Sequence, residues 1–182
     1  MSTPDLRRAF RLHPLASLLA TGFGVGLFPW APGTAGSALG LAAAWLLARA
    51  ISPAHGSSVA AVVGLLMSGL VVAAAGVPLA TRACRGLGAK DPGCVVVDEI
   101  AGQLLASSPV ALFLYRSAYV EAWVWIASFL LFRIFDVWKP GPVRRLQDLP
   151  EGLGVVMDDV LGGLLAAGST AVLAGIVAGP RP

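Results

Sequence analysis

Histidine and cysteine are nearly missing from this chain, with two of each in 182 residues. Cys84 and Cys94 lie ten positions apart without a CxxC spacing or a Cys/His cluster, so neither a disulfide framework nor a zinc site is indicated. They read as small packing residues. Charge is scarce as well: 13% of residues are charged, 57% are hydrophobic and the mean hydropathy is +0.79. An ordinary soluble domain, with about 25% charged residues, is thereby excluded. Internal repeats and low-complexity stretches are also lacking. One integral membrane domain over 1–182 is the reading that remains.

What is present is a series of apolar runs. A bilayer-crossing helix needs roughly 17–25 mostly apolar residues. The runs at 36–52, 58–80, 100–115, 119–135 and 160–178 qualify or nearly do, the third and fourth being short and separated by the charged turn "YRSAYVE". Residues 15–30, rich in Gly and ending in "FPWAPG", predict an interfacial or re-entrant segment. The expected fold is all-α: a small polytopic helical membrane bundle of about five spans, with 1–14 as a cytoplasmic arm and 15–178 as the bundle. Arg7, Arg8 and Arg11 before an apolar stretch resemble a secretory leader, but the later runs make an uncleaved membrane protein the simpler account.

The charges are few but sorted. With the N-terminus inside, five crossings put Arg7, Arg8, Arg11, Arg82, Arg85, Lys90, Arg133, Lys139, Arg144 and Arg145 on the cytoplasmic side, leaving only Arg49, Arg116 and Arg181 outside. The same threading gathers eight of the ten acids at cytoplasmic span ends, with Asp5 also inside and Glu121 alone outside.

Three acidic clusters lie in that layer. "DPGCVVVDEIAG" holds Asp91, Asp98 and Glu99, which also suit the positive end of a helix dipole, and Gly102, which lets a neighbouring backbone approach. "FRIFDVWKPGPVRR" carries Arg133 and Asp136 three apart on one helix face, as for an ion pair, with Lys139 three further on. "GLGVVMDDVLGG" sets Asp158 beside Asp159, a repulsive pairing near a membrane unless a cation is close. Carboxylates without histidine or thiolate form an all-oxygen set that suits Mg²⁺ better than zinc.

Arg133, Lys139 and Arg144 add phosphate partners. "APGTAGSALG", 31–40, predicts an open loop before the first span, where Thr34, Ser37 and backbone N–H groups can hold an anion. Together these features imply metal-assisted phosphoryl chemistry on a lipid headgroup.

At these residues the sequence resembles the phosphatidylglycerophosphatase A family. The resemblance runs from about Gly22 to Gly163 in four blocks: "GFGVGLFPWAPGTAGS", "KDPGCVVVDEIAG", "FRIFDVWKP" with the following "PVR", and "GLGVVMDDVLGG". It implies a Mg²⁺-dependent hydrolase of the bacterial inner membrane, multi-pass, with its active site facing the cytoplasm. The implied substrate is phosphatidylglycerol phosphate in the cytoplasmic leaflet; no nucleic-acid partner is expected, and oligomer formation is left open. The implied acidic site is Asp91, Asp98, Glu99, Asp136, Asp158 and Asp159, the implied cationic site Arg133, Lys139 and Arg144, and the implied loop Gly33, Thr34, Gly36 and Ser37. Gly141 stands where the family more often has an aromatic residue and Gln147 where it often has an acid, so Asp148 and Glu151 stay outside the expected core site.

Other phosphatase chemistries lack their motifs here: no Cys is followed six residues on by Arg, and no DxDx(T/V), Ser-Gly-His or Lys-x6-Arg-Pro pattern occurs. A phosphatidyltransferase would need a DG-x2-AR-x8-G-x3-D-x3-D pattern, which is absent. A transporter or channel would set ionisable residues at mid-bilayer depth, whereas these acids fall at span ends.

Overall fold

A computed structural model of the chain describes residues 10–52, 58–114 and 117–178. Arg7, Arg8, Arg116, Arg181 and Asp5, which entered the expected charge sorting, lie outside the described residues, as does most of the expected arm. All regular elements among the described residues are helical: α1 Pro14–Ala20, a 3-10 turn Val25–Leu27, α2 Pro32–Ile51, α3 Ser58–Leu87, α4 Val97–Ala106, a 3-10 stretch Ser108–Phe113, α5 Ala118–Trp138, α6 Gly141–Leu146 and α7 Glu151–Ala178. Three of them, α2, α3 and α7, are long and apolar enough to cross a membrane.

Small residues at helical spacing explain how these helices pack. Gly36, Gly40, Ala44 and Ala48 line the buried side of α2, and Ala61, Leu65, Gly69, Ala73, Gly76 and Ala80 that of α3. Such stripes let membrane helices approach closely where no hydrophobic drive separates helix from lipid. In the middle sits α4, buried along nearly its whole length and packed on α7, α3, α2 and α5. Both cysteines are free and buried. At the end of the bundle away from most of the acids, Arg49 of α2 pairs with Glu121 of α5.

Two boundaries differ from expectation. The run at 100–115 is not one helix: α4 has ten residues, about 15 Å of rise against a hydrocarbon core of about 30 Å. Pro109 explains the break, since it disfavours helical backbone at Ser108 and cannot donate an N–H; the Ser108 hydroxyl caps the Leu105 carbonyl at 2.8 Å. The expected open loop at 31–40 is instead helical from Pro32 onward, as the first turns of α2, which Pro32 starts by fixing its own φ. Residues 15–30 form α1, a left-handed turn at Gly22, Phe23 and Gly24, and the 3-10 turn, with Leu15, Phe23 and Trp30 exposed.

One of the close contacts in the bundle joins α4 to α7. A Cβ on Gly102 would lie 2.4 Å from the Phe132 ring and 2.7 Å from the Asp159 carbonyl, and one on Gly163 would lie 2.4 Å from the Gly102 carbonyl. No side chain larger than hydrogen fits at either place. Gly102→Val is therefore expected to lower stability by about 1–3 kcal/mol through overpacking. Gly168→Ala, on the same α7 but with nothing within 4 Å, should leave stability unchanged or raise it slightly. Thermal unfolding in detergent reads both, and an unaltered midpoint for Gly102→Val would refute the contact.

Candidate metal centre and phosphate site

The glycine contact positions the acids. Asp98 precedes Gly102 by four residues and Asp159 precedes Gly163 by four, so each carboxylate stands one turn from the point where the backbones touch, on the same face as its glycine. Two helices whose contacting glycines, Gly102 and Gly163, are 61 positions apart in sequence thus present their acids to one another.

Among the described residues, Asp98, Glu99 and Asp159 form a compact group, one ligand oxygen from each lying within 4.8 Å of the others. Asp98 Oδ1, Glu99 Oε2 and Asp159 Oδ2 are buried without a hydrogen-bond partner. Burial pushes the Asp98 carboxyl well above the usual carboxylate range, and the neighbouring Glu99 charge adds to it. Burial likewise raises Glu99 to about 8, opposed by a hydrogen bond with Asp98 and reinforced by Asp159 and Asp136. Buried carboxylates in this state are stable only with protons or with a cation. Three orphaned oxygens, with no nitrogen or sulfur donor in the group, fit a hard divalent ion.

Around this trio stand two anchored cations. Arg133, near the end of α5, donates to Asp136 three residues on and to the Ser37 hydroxyl at 3.2 Å, and Ser37 in turn donates to the Gly33 carbonyl at 2.8 Å. Lys139 caps α5 in the left-handed conformation, φ 45°, with Pro140 next. Its ammonium pairs with Asp158 and lies 3.9 Å from Asp136. Burial alone would lower the Lys139 pKa, but the Asp158 hydrogen bond and the charges of Asp158, Asp159 and Asp136 hold it above the ordinary lysine value. Lys139 stays charged.

The N-terminus of α2 completes the site. No side chain caps it, and Ala35 is the first backbone N–H bonded back into the turn, to the Ala31 carbonyl at 3.0 Å. Gly33 packs against both charge types: a Cβ there would come within 2.5 Å of Glu99 Oε1 and 3.3 Å of Arg133 Nη1. Gly36 instead seats Val96, 2.6 Å from the position of an added Cβ. Thr34 is exposed at the helix tip.

The residues expected at the site are thus not equivalent. Asp98, Glu99 and Asp159 converge; Asp136 and Asp158 hold the cations, and Asp158 Oδ1 also accepts the Asp159 N–H at 3.1 Å. Asp91 is exposed in the turn before α4 and lies outside the trio, and Arg144 is exposed on α6. Gly163, which sets the position of Asp159, carried no signal beyond its place in a Gly-Gly pair.

The sequence profile described as phosphatidylglycerophosphatase A matches residues 18–174. The chain belongs to the phosphatidylglycerophosphatase A family. That makes it a phosphomonoester hydrolase. It is 33% identical over 153 residues to the phosphatidylglycerophosphatase A of Escherichia coli, covering 83% of this chain and 78% of that one. The Haemophilus influenzae protein of the same name is 32% identical over 163 residues, covering 88% and 89%. A Bacteroides thetaiotaomicron protein named putative phosphatidylinositol-3-phosphatase is 37% identical over 155 residues, covering 82% and 87%. No solved structure matches the chain.

With raised pKa values, Asp98 and Glu99 favour their protonated forms, so a divalent cation held there would displace protons. With Glu99 near 8 and Asp98 also raised, affinity for Mg²⁺ should rise with pH from neutrality through about 8. Calorimetry at neutral pH, in buffers of different ionisation enthalpy, should register proton release on binding; a pH-independent affinity would contradict the assignment.

Proposed function

We propose that this protein hydrolyses the terminal phosphomonoester of phosphatidylglycerol phosphate in a Mg²⁺-dependent reaction at the cytoplasmic surface of a bacterial inner membrane. The observation that carries this reading is the set of three buried, unpartnered carboxylate oxygens beside two anchored cations and an uncapped helix N-terminus. Asp98, Glu99 and Asp159 would hold the metal, which when bound neutralises phosphate oxygens and lowers the pKa of a coordinated water.

The chain's own residues supply the remainder. Arg133 and Lys139 stabilise the charge on the equatorial phosphate oxygens, and the first N–H groups of α2, at Gly33 and Thr34, receive the anion. Asp136 orients both cations and Asp158 orients Lys139. Glu99 Oε1 faces the start of α2, where the phosphate sits, and accepts the proton of the attacking water. Water oxygen bonds to phosphorus, the polyol oxygen leaves, and Glu99 returns the proton to it. Ser37 keeps Arg133 aimed at the anion.

With the N-terminus inside, the acid layer lies at the leaflet in which the substrate is exposed. The exposed Leu15, Phe23 and Trp30 of the first segment, and Trp138 at the end of α5, suit the membrane interface on that same side.

Inorganic phosphate release from phosphatidylglycerol phosphate in mixed micelles, with Mg²⁺ and after chelation by EDTA, tests the reading. Release abolished by EDTA and restored by Mg²⁺ is expected; no release from folded protein would refute it. Phosphatidylinositol 3-phosphate belongs in the same assay, because a relative named for that activity is 37% identical. Faster turnover of that lipid would reassign the headgroup. Asp98→Asn should lose about 100-fold or more in kcat without unfolding, whereas Asp158→Asn, which releases the Lys139 ammonium, should act as loss of Lys139 does. Lys139→Gln should instead raise KM, and an unchanged KM would exclude Lys139 from phosphate binding.

A further inference from the structure

One polar cavity takes no part in the chemistry described so far. It measures about 290 Å³ and is lined by Lys90 and Asp91 before α4, Gln147 and Asp148 after α6, and Gly154 and Val155 of α7. Gly154 and Val155 precede Asp158 and Asp159 by four residues each, so they share the faces of those acids about 6 Å toward the start of α7. The cavity therefore adjoins the Asp158 edge of the site.

The lining chemistry is selective. Two carboxylates against one ammonium discourage a second phosphate. Carboxylate acceptors, an ammonium donor and an amide that both donates and accepts suit hydroxyl groups. The volume of about 290 Å³ lies just below the range of drug-sized sites, about 300 to 1,000 Å³, and suits a small polyol. Gln147 and Asp148 are set in place by backbone: a Cβ at Gly154 would lie 2.6 Å from the Leu149 carbonyl and 3.0 Å from the Gln147 carbonyl, so their turn is pressed onto α7.

A phosphomonoester that enters phosphate-first leaves its attached group on the open side of the buried carboxylates. The cavity lies one turn of α7 from Asp158, toward the start of the helix. We propose that it is a polyol subsite, which takes the hydroxyl-bearing part of the lipid headgroup and reads its hydroxyls with Gln147 and Asp148. The proposal rests on the lipid-phosphatase reading above and extends it to headgroup recognition.

Inorganic phosphate and glycerol 3-phosphate separate the two parts of the site, because both occupy the phosphate position and only the second offers hydroxyls. Their inhibition constants are measured against the unmodified protein, Gln147→Ala and Asp148→Ala. Gln147 is half-buried and Asp148 exposed, so truncation spares the fold. The unmodified protein should bind glycerol 3-phosphate more tightly than phosphate. Each variant should lose about tenfold for glycerol 3-phosphate while phosphate is unchanged. Weakening of both inhibitors alike, or of neither, overturns the subsite, as does a lack of preference in the unmodified protein. Phosphate release from phosphatidylglycerol phosphate runs alongside: its absence overturns the proposed function, whereas release with unaltered glycerol 3-phosphate affinity in both variants overturns the subsite alone.

Discussion

Two glycines that allow α4 and α7 to touch, Gly102 and Gly163, set the geometry on which the site depends. Any side chain at either position would separate the helices, and with them Asp98 and Glu99 from Asp159. Close approach is also what makes the acids costly: three carboxylates in one buried space repel each other and have lost water, a penalty of several kcal/mol per ion (order of magnitude) if charged and unpaired. Protons or a divalent ion relieve that penalty. The fold stores an affinity for positive charge at one point, and α4, central in the bundle, carries its first turn there.

The cations are handled differently. Arg133 and Lys139 each have a carboxylate partner, Asp136 and Asp158, so neither collapses onto the trio. Arg133 is fixed a second time through Ser37, which ties the end of α5 to the beginning of α2. Lys139 reaches Asp158 from a left-handed cap, a conformation that costs energy for a residue with a Cβ. Positive charge, an open helix end and the unpartnered acids lie within one small volume supplied by four helices. A phosphate held there meets opposite charge from the side chains and N–H groups without displacing the acids from each other.

Local patterns carried much of this. The apolar runs announced a helical membrane protein, and the three-residue spacing of Arg133 and Asp136 announced their ion pair, because both follow from helix periodicity within a few turns. Boundaries were less legible. The first turn of α2 was hidden because Gly, Thr and Gly have low helix preference, and Pro32 starts the helix without a conventional cap. The break after α4 was hidden inside an apolar run, where Ser107, Ser108 and Pro109 count for little against the surrounding hydrophobicity.

The sequence by itself determined the class of molecule, the ends of the apolar runs at which its acids gather, and the residue types available for chemistry. Hydropathy, charge and spacing are properties of short stretches, and no partner is needed to read them. Tertiary structure alone decided which acids meet. Asp91 and Asp98 lie in one motif, yet only Asp98 joins the trio; Asp158 and Asp159 are adjacent, yet one faces Lys139 and the other faces α4. Successive residues on a helix point about 100° apart, so a carboxylate's partner depends on how its helix is rotated against its neighbours. That rotation is fixed by glycine contacts between segments far apart in the chain.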